Sequence, residues 1–182
     1  NDEQAMSLLE EGLVDFILSN NREIINRCDD SIVQHVDGIN ILIRRARGYV
    51  PNGLMVKEAD DISKISLGAD IKNTFSLKKG RKIYVSQYIG DLDDHRNVAY
   101  QEQQVSEFKK LLDINISSTN IDAHPGYANY NKDYNRIYHH HAHALSVMAE
   151  NNILGEDVLA VICDGTGYGD DGNIWGFEFF KI

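Results

Sequence analysis

The order of strand-like and helix-like segments after residue 60 restricts the fold of this chain more than any other feature of its sequence. Short runs rich in β-branched and other apolar residues are separated by turn residues, which is typical of strands, and two stretches have helical spacing of apolar residues. The predicted strands are 62–69, 73–77, 82–89, 114–123, 157–163 and 173–180, and the predicted helices are 100–112 and a segment from residue 139. The sequence therefore predicts an α/β fold.

Three strands followed by a helix, a strand and a helix resemble one lobe of the ribonuclease H and actin architecture, and the last two strands resemble the first hairpin of a second lobe. The first fifty residues differ, because a helix over Ala5–Leu18 and a hairpin turning at Asp37-Gly38 predict an α+β segment. That hairpin would pair Ser31–Asp37 with Ile39–Arg45. Pro51-Asn52-Gly53 predicts a boundary between units 1–51 and 52–182.

Composition excludes some classes of function. The net charge of −10 over 182 residues disfavours non-specific nucleic-acid binding, which requires a positive surface. No apolar run reaches the length of a membrane span, and no secretory signal pattern is present, so we expect a cytoplasmic protein without a membrane partner. Cys28 and Cys163 lack the spacing of a disulfide framework or a zinc knuckle, and we expect buried thiols.

Four of the seven histidines lie between residues 139 and 143, where an apolar run becomes helical. Two histidines four residues apart share one side of a helix, so His139 and His143 could bind a single metal ion, while His140 and His141 would point elsewhere. Histidines that cap the helix or lie in the core are the alternative. Spacing alone leaves both interpretations open.

The glycine-rich segment from Asp164 to Gly172 joins two predicted strands. It is not a dinucleotide fingerprint, because no helix follows the glycines, and it lacks the ligands of a calcium loop. The backbone amides of Gly165, Thr166 and Gly167 could approach phosphate, or the glycines could simply reverse the chain. Asp164 ends an apolar strand and would need a cation or donors beside it, so we expect it to be a third metal ligand or the partner of a magnesium-bound phosphate.

Six segments in series closely resemble the HypF family, the carbamoyltransferases of nickel-iron hydrogenase maturation. They span nearly the whole chain and occur in the family's order, which makes the resemblance far more specific than any single motif. They are residues 27–31, 44–51, 67–75 and 86–92, the histidine cluster at 139–143, and residues 164–172.

The resemblance implies a longer protein, of which residues 1–51 would form the end of a YrdC-like domain and residues 52–182 the first, truncated part of an actin-like (ASKHA) transferase domain. It implies that carbamoyl phosphate and ATP give carbamoyl-adenylate in the YrdC-like domain. The carbamoyl group would then pass to the C-terminal cysteine of the protein HypE.

The resemblance also implies roles for particular residues. Zinc or ferrous iron would be bound by His139 and His143, with Asp164 facing the ion or the phosphate as a catalytic group. Lys72, also catalytic, and Asn73 would lie near nucleotide phosphate, with Mg²⁺ as a possible companion. The residues implied to contact ATP in the YrdC-like part are Ser31, Arg45 and Arg47, with Arg44 competing for the same role. His124 also fits the family's pattern after the fourth strand and could help to orient substrate, but a histidine at a strand end is more often a structural group.

Two other functions remain open at the level of sequence. The chain could bind metal or nucleotide without catalysing a reaction. It could also belong to a related O-carbamoyltransferase or tRNA threonylcarbamoyl transferase, which share the paired histidines. Fusion of the Arg44–Pro51 stretch to the actin-like part favours the HypF order over the tRNA enzymes, in which the two activities are separate chains.

Overall fold

A six-stranded mixed sheet is the largest element of the computed structural model, which describes residues 2–22, 24–57 and 60–182. The helices are α1 (Asp2–Glu10), α2 (His95–Leu112) and α3 (His139–Glu150). The strands are β1 (Ile32–Val36), β2 (Ile39–Arg44), β3 (Leu54–Met55), β4 (Lys64–Ser66), β5 (Ser76–Lys79), β6 (Lys82–Val85), β7 (Ser118–Asp122), β8 (Asn135–Ile137), β9 (Leu159–Ile162), β10 (Gly167–Tyr168), β11 (Ile174–Trp175) and β12 (Glu178–Lys181).

The strand order in the large sheet is β3-β6-β5-β4-β7-β8. Strands β4, β5 and β6 pair antiparallel as successive hairpins, whereas β7 runs parallel to β4 after the crossover through α2, and β8 runs parallel to β7. This arrangement confirms the predicted α/β fold, with a lobe of the ribonuclease H and actin type. Two small sheets, β9 with β12 and β10 with β11, follow α3.

Helix α2 covers one face of the large sheet and completes its core. Phe108 of the helix contacts Phe75 edge-to-face, with ring centroids 5.3 Å apart, and Leu77 of β5 is fully buried beside them. The helix begins where the Asp94 carboxylate accepts a hydrogen bond from the Arg96 amide. It ends at Asp113, which has a left-handed backbone conformation and whose amide donates hydrogen bonds to the carbonyls of Lys109 and Lys110.

The predicted hairpin at Asp37-Gly38 is confirmed, with both residues at positive φ between β1 and β2. The prediction of one helix over Ala5–Leu18 is wrong beyond Glu10, because Gly12 adopts a left-handed conformation that ends it. Apolar side chains after this point, such as Phe16 and Leu18, are exposed, so no packing extends the helix.

Two further predictions need correction. Cys163 was expected to be buried, but its thiol is exposed because β9 pairs only with β12 and stays outside the large sheet. The predicted strand 173–180 is two strands, β11 and β12, interrupted around Gly176. The sequence did not predict β3, β8 or β10, which have only two or three residues each. Among the described residues, no helix combines the length and apolar character needed to cross a bilayer.

Residues 26 and 27, which precede the β1–β2 hairpin, attach the amino-terminal part to α2. The guanidinium of Arg27 lies 3.8 Å from the ring centroid of Tyr100, whose hydroxyl donates a hydrogen bond to the Arg27 carbonyl at 2.8 Å. Gln104 donates to the side chain of Asn26 at 2.9 Å. The β1–β2 pair itself is largely solvent-exposed, so these contacts hold the segment against the lobe.

Candidate metal centre

The start of α3 and the ends of β7 and β9 lie close together and bring the candidate ligands into contact. Helix α3 begins at His139, so its first turn presents His139 and His143 on one side. Strand β7 ends at Asp122, and β8, which pairs parallel to it, leads into the helix. Asp164 follows the end of β9, which packs against α3. Side chains distant in sequence therefore meet at the amino end of α3.

The ligand atoms of His139, His143 and Asp164 converge on one point. The two Nε2 atoms are 3.2 Å apart, and Asp164 Oδ2 lies 3.1 Å from Nε2 of His139 and 3.3 Å from Nε2 of His143. An ion with tetrahedral bonds of about 2.0–2.1 Å separates its ligand atoms by roughly 3.3–3.4 Å. The three atoms thus form one face of a tetrahedron that fits a metal ion and leaves a fourth position for another ligand.

Asp122 orients His139 from the other side of its ring. The Nδ1 atom of His139 lies 2.8 Å from Asp122 Oδ2, and this hydrogen bond raises the pKa of His139 above its ordinary value. A proton on Nδ1 leaves Nε2 free to bind an ion, and carboxylates support metal-bound histidines in this way in many proteins. Residue spacing did not predict this role for Asp122. A carboxylate at the carboxyl end of a parallel strand was the signal that could have revealed it.

Asp164 is held by the backbone that follows it. Its Oδ1 accepts hydrogen bonds from the amides of Gly165 and Thr166, at 2.7 and 3.4 Å, so that Oδ2 faces the histidines. Burial alone would raise the pKa of Asp164, but these amides and the nearby histidines lower it below its ordinary value. The carboxylate is therefore ionised and suited to a cation. Two of the amides predicted to face phosphate are instead directed at this side chain.

His140 is buried beside the three ligands without being one of them. Its Nε2 lies 3.9 Å from Asp164 Oδ2, beyond hydrogen-bonding distance, and burial lowers its pKa. Gly167 makes this packing possible, because a Cβ atom there would lie 3.0 Å from the His140 ring and 3.2 Å from the Cβ of His139. Gly167 therefore serves the close approach of β10 to α3.

A cleft of about 290 Å³ lies beside the paired histidines. Its wall includes Asp122 and the small residues Gly68 and Ala69, which begin the loop between β4 and β5. Asp70, in the same loop, accepts the Ala128 amide with both carboxylate oxygens. The loop that carries Lys72 and Asn73 is thus joined to the face of the lobe that carries the candidate ligands His139, His143 and Asp164.

Lys72 and Asn73 have different environments in this loop. Lys72 is exposed at positive φ, and its backbone amide donates a hydrogen bond to the Asp91 carboxylate at 2.7 Å. Asn73 is 1% exposed, its amide nitrogen donates to the carbonyls of Leu67 and Ala69, and its oxygen accepts from Gln101. Asn73 therefore stabilises the loop from inside, with both N–H groups engaged, and does not face a phosphate.

The residues implied to contact ATP in the amino-terminal part bond to their own segment. The Ser31 hydroxyl donates to the Arg47 carbonyl and accepts from the Ala46 amide. Arg45 donates to the carbonyls of Tyr49 and Asn52. Arg47 donates to the Cys28 carbonyl and pairs with Asp30, and Arg44 pairs with Asp29. These hydrogen bonds and ion pairs all lie within residues 28–52, and the Arg44 guanidinium also lies 5.5 Å from the ring centroid of Tyr88. None of these contacts involves a residue of the candidate metal centre.

His124 lies next to the site but makes structural contacts. Its ring stacks on Tyr127 with centroids 4.3 Å apart, and its Nδ1 accepts the Gly126 amide at 3.1 Å. The edge of Tyr168 approaches the same ring at 5.5 Å. The position matches the expectation of a satisfied histidine at the end of a strand.

Known proteins match this chain along nearly all of its length. Residues 59–150 match the model of the HypF Kae1-like domain, and residues 160–182 match that of the second subdomain of the carbamoyltransferase Kae1-like domain. The chain is 36% identical to the carbamoyltransferase HypF of Synechocystis over 94% of its length and 35% identical to that of Rhizobium leguminosarum over 100%.

Solved structures agree with the sequence matches. A crystal structure of full-length HypF in the phosphate- and nucleotide-bound form is 42% identical and superposes with a TM-score of 0.81 over 89% of this chain and 22% of that one. The HypF of T. kodakarensis gives a TM-score of 0.74 at 36% identity, over 86% of this chain and 22% of that one. The chain spans 23% and 24% of the two curated relatives named above. It belongs to the HypF family of carbamoyltransferases.

Proposed function

We propose that this chain contributes the metal-binding part of the carbamoyl-transfer site in a HypF-type enzyme. Residues 1–51 would be the end of a YrdC-like domain, and residues 52–182 the first part of an actin-like transferase domain. In the whole enzyme, carbamoyl phosphate and ATP give carbamoyl-adenylate, and the carbamoyl group passes to the C-terminal cysteine of HypE. Family membership and the fold of the lobe support this assignment.

The observation that carries the proposal is the convergence of two imidazole nitrogens and one carboxylate oxygen at mutual distances of 3.1–3.3 Å. Imidazole with one carboxylate suits zinc or ferrous iron better than Mg²⁺, which prefers oxygen ligands. The ligands are His139, His143 and Asp164. With three protein ligands, a fourth position remains for substrate, as in catalytic rather than structural metal sites.

The residues of the chain each have a task in the proposed transfer. A bound ion would act as a Lewis acid toward the carbamoyl carbonyl. Asp122 keeps the His139 ring in the tautomer with a free Nε2, and the amides of Gly165 and Thr166 keep Asp164 Oδ2 directed at the ion. Lys72, exposed on the loop whose first residues line the cleft, is suited to the adenylate phosphate as a mobile positive charge.

The transfer of the carbamoyl group from the adenylate to the acceptor thiol balances without any further reagent. The thiolate sulfur of the acceptor forms a bond to the carbamoyl carbon, and the bond between that carbon and the phosphate oxygen breaks. AMP leaves with the electron pair of that bond, and the thiol proton is released to solvent or to a base. The phosphate- and nucleotide-bound form of the related HypF supports a nucleotide in the family's enzyme.

Metal analysis of the purified chain tests the central part of the proposal. The wild-type chain should bind about one zinc or ferrous ion, and the His139→Ala/His143→Ala double variant should bind none at the same concentration. His95→Ala is the control, because this histidine is almost fully exposed and outside the site. Equal metal content in the wild type and the double variant would refute the assigned ligands.

The acceptor is tested separately. We expect that replacing the corresponding region of a full-length HypF relative with residues 52–182 of this chain gives an enzyme that carbamoylates HypE, as detected by mass spectrometry. His143→Ala in the same hybrid should abolish the transfer. Modification of tRNA or of a small hydroxyl compound instead of HypE would indicate one of the related transferases. Metal binding with no transfer to any acceptor would indicate a binding function.

A further inference from the structure

His140 is a buried histidine whose polar atoms have no partner among the described residues. The side chain is fully buried, and neither Nδ1 nor Nε2 makes a hydrogen bond. A buried polar group without a partner destabilises the folded state. Such groups are rare in folded proteins and call for an explanation beyond packing.

The ring cannot easily turn away to find another partner. It lies parallel to the Trp175 ring, with an interplanar angle of 10° and centroids 6.1 Å apart, and Phe180 lies at 6.2 Å. Gly167 approaches the ring so closely that a Cβ atom there would lie 3.0 Å from its Cε1 and Nε2 atoms. The packing therefore fixes the direction in which Nε2 points.

That direction is toward Asp164. Nε2 of His140 lies 3.9 Å from Oδ2, the same oxygen that faces His139 and His143. The distance exceeds that of an N–H···O bond by about 1 Å. The Asp164 side chain is 28% exposed, and both backbone amides that bind it donate to Oδ1, so no backbone donor among the described residues fixes the position of Oδ2.

We propose that His140 is a positioning residue of the metal centre, a neutral imidazole that donates its Nε2–H to Asp164 Oδ2 when an ion is bound. This inference rests on the proposed metal site. An oxygen that binds a metal through one lone pair can accept a hydrogen bond through the other, and such bonds fix which oxygen of a carboxylate ligates. Asp164 would then be held through both oxygens, by backbone amides at Oδ1 and by His140 at Oδ2.

The choice of tautomer follows from the surroundings. With the proton on Nε2, the N–H of the ring faces a carboxylate, and only an acceptor, Nδ1, remains unpaired in the interior. The opposite tautomer would bury an unpaired N–H and direct a bare nitrogen at an anion, which is unfavourable on both sides. His140 thus carries a cost in the ion-free protein that the bound ion relieves.

Two substitutions separate this role from packing. His140→Leu removes both nitrogens while keeping an apolar side chain, and His140→Gln keeps an N–H donor at a similar reach. We expect His140→Leu to weaken Zn²⁺ binding about 10- to 100-fold in a competition with a chromogenic chelator, and His140→Gln to restore most of the affinity. Without metal, the leucine variant should unfold at the same denaturant concentration as the wild type or a higher one.

The spectrum of the protein loaded with Co²⁺ provides a readout that packing alone would not change. The ligand-field bands of the leucine variant should shift as Asp164 loses its fixed geometry, and those of the glutamine variant should resemble the wild type. Identical Zn²⁺ affinity and Co²⁺ spectra in the wild type and His140→Leu would overturn the role of His140. Failure of the wild type to bind either ion would instead overturn the metal site.

The tautomer can be read in the unaltered chain if the leucine variant does not fold. Long-range nitrogen–proton NMR spectra of the zinc-loaded protein distinguish a protonated Nε2 from a protonated Nδ1 in each histidine. A proton on Nε2 of His140 is the expected result. A proton on Nδ1 in the loaded protein would contradict the proposal.

Discussion

At the scale of single residues, the candidate centre depends on side chains that do not themselves bind the ion. Asp122 and His140 lie outside the set of three ligands, and each faces one of its members. The carboxylate of Asp122 is 7% exposed, so its interaction with His139 is little screened by solvent. We therefore expect both Asp122 and His140 to affect the metal affinity of the proposed site.

Asp122→Asn tests this support while preserving the shape of the side chain. The asparagine oxygen can accept from only one of the two groups that Asp122 binds, the His139 ring and the His124 amide, and it lacks the charge that would make His139 a stronger ligand. We expect Zn²⁺ affinity to fall about 10- to 100-fold in a chelator competition. Asp133→Asn, an exposed position in the turn before β8, is the matched control and should leave affinity unchanged. Equal affinities for the wild type and Asp122→Asn would show that the charge is unimportant.

At the scale of elements, the approach of β10 to the first turn of α3 sets the geometry of the site. This approach is close because residue 167 has no side chain. The neighbouring Gly165 is different, because nothing lies within 4 Å of the place where its Cβ would be. Two glycines of one turn therefore have unequal importance.

Gly167→Ala should displace β10 from α3, because its Cβ would lie 3.0 Å from a ring that is packed on every side. We expect lower Zn²⁺ affinity and a lower unfolding midpoint, measured by chelator competition and thermal denaturation. Gly165→Ala keeps the amide that holds Asp164 and should behave like the wild type. The interpretation fails if the two alanine variants are equally affected.

The elements also show how far the sequence alone could lead. From residue 62, periodicity predicted the order of the longer strands and helices but not the short strands β8 and β10 or the break between β11 and β12. The four-residue spacing placed His139 and His143 on one side of α3. It could not reveal that Asn73 would be buried, because its partner Gln101 lies on a helix that packs only in the folded chain. The same holds for Asp122 and His139, which meet through the pairing of β7 with β8.

Local sequence pattern gave wrong predictions where apolar residues lack neighbours to pack against in the folded chain. Apolar spacing continued beyond Glu10, yet the helix ends there, because the side chains that follow have no surface to cover among the described residues. Cys163 is exposed for a related reason, since β9 has a partner on one edge only. In both cases the residues have the apolar character of a core without the neighbours that would form one.

At the scale of the whole molecule, a chain of buried amides and a phenol joins the amino-terminal segment to the lobe. Gln87 donates to the hydroxyl of Tyr100 and to Gln104, and these two residues reach the segment at Arg27 and Asn26. Each donor in this chain has an acceptor, so removal of one member leaves its neighbours unpaired.

Tyr100→Phe should therefore destabilise the protein by about 1–3 kcal/mol, because both the Gln87 donor and the Arg27 carbonyl lose a partner. Denaturant titration measures this change, and limited proteolysis should show faster cleavage near residue 27. Tyr134→Phe is the control, since its hydroxyl makes no hydrogen bond to the described residues. A stability equal to the wild type would show that the link is dispensable.

The position of Asp164 implies that the proposed ion would link two parts of the chain. The two histidines belong to the helix that follows the large sheet, whereas Asp164 belongs to the turn between the two small sheets that come after it. An ion bound to all three would connect the first turn of α3 to the turn between β9 and β10. Metal binding would then restrict the motion of the last twenty residues relative to α3, and metal removal would release it.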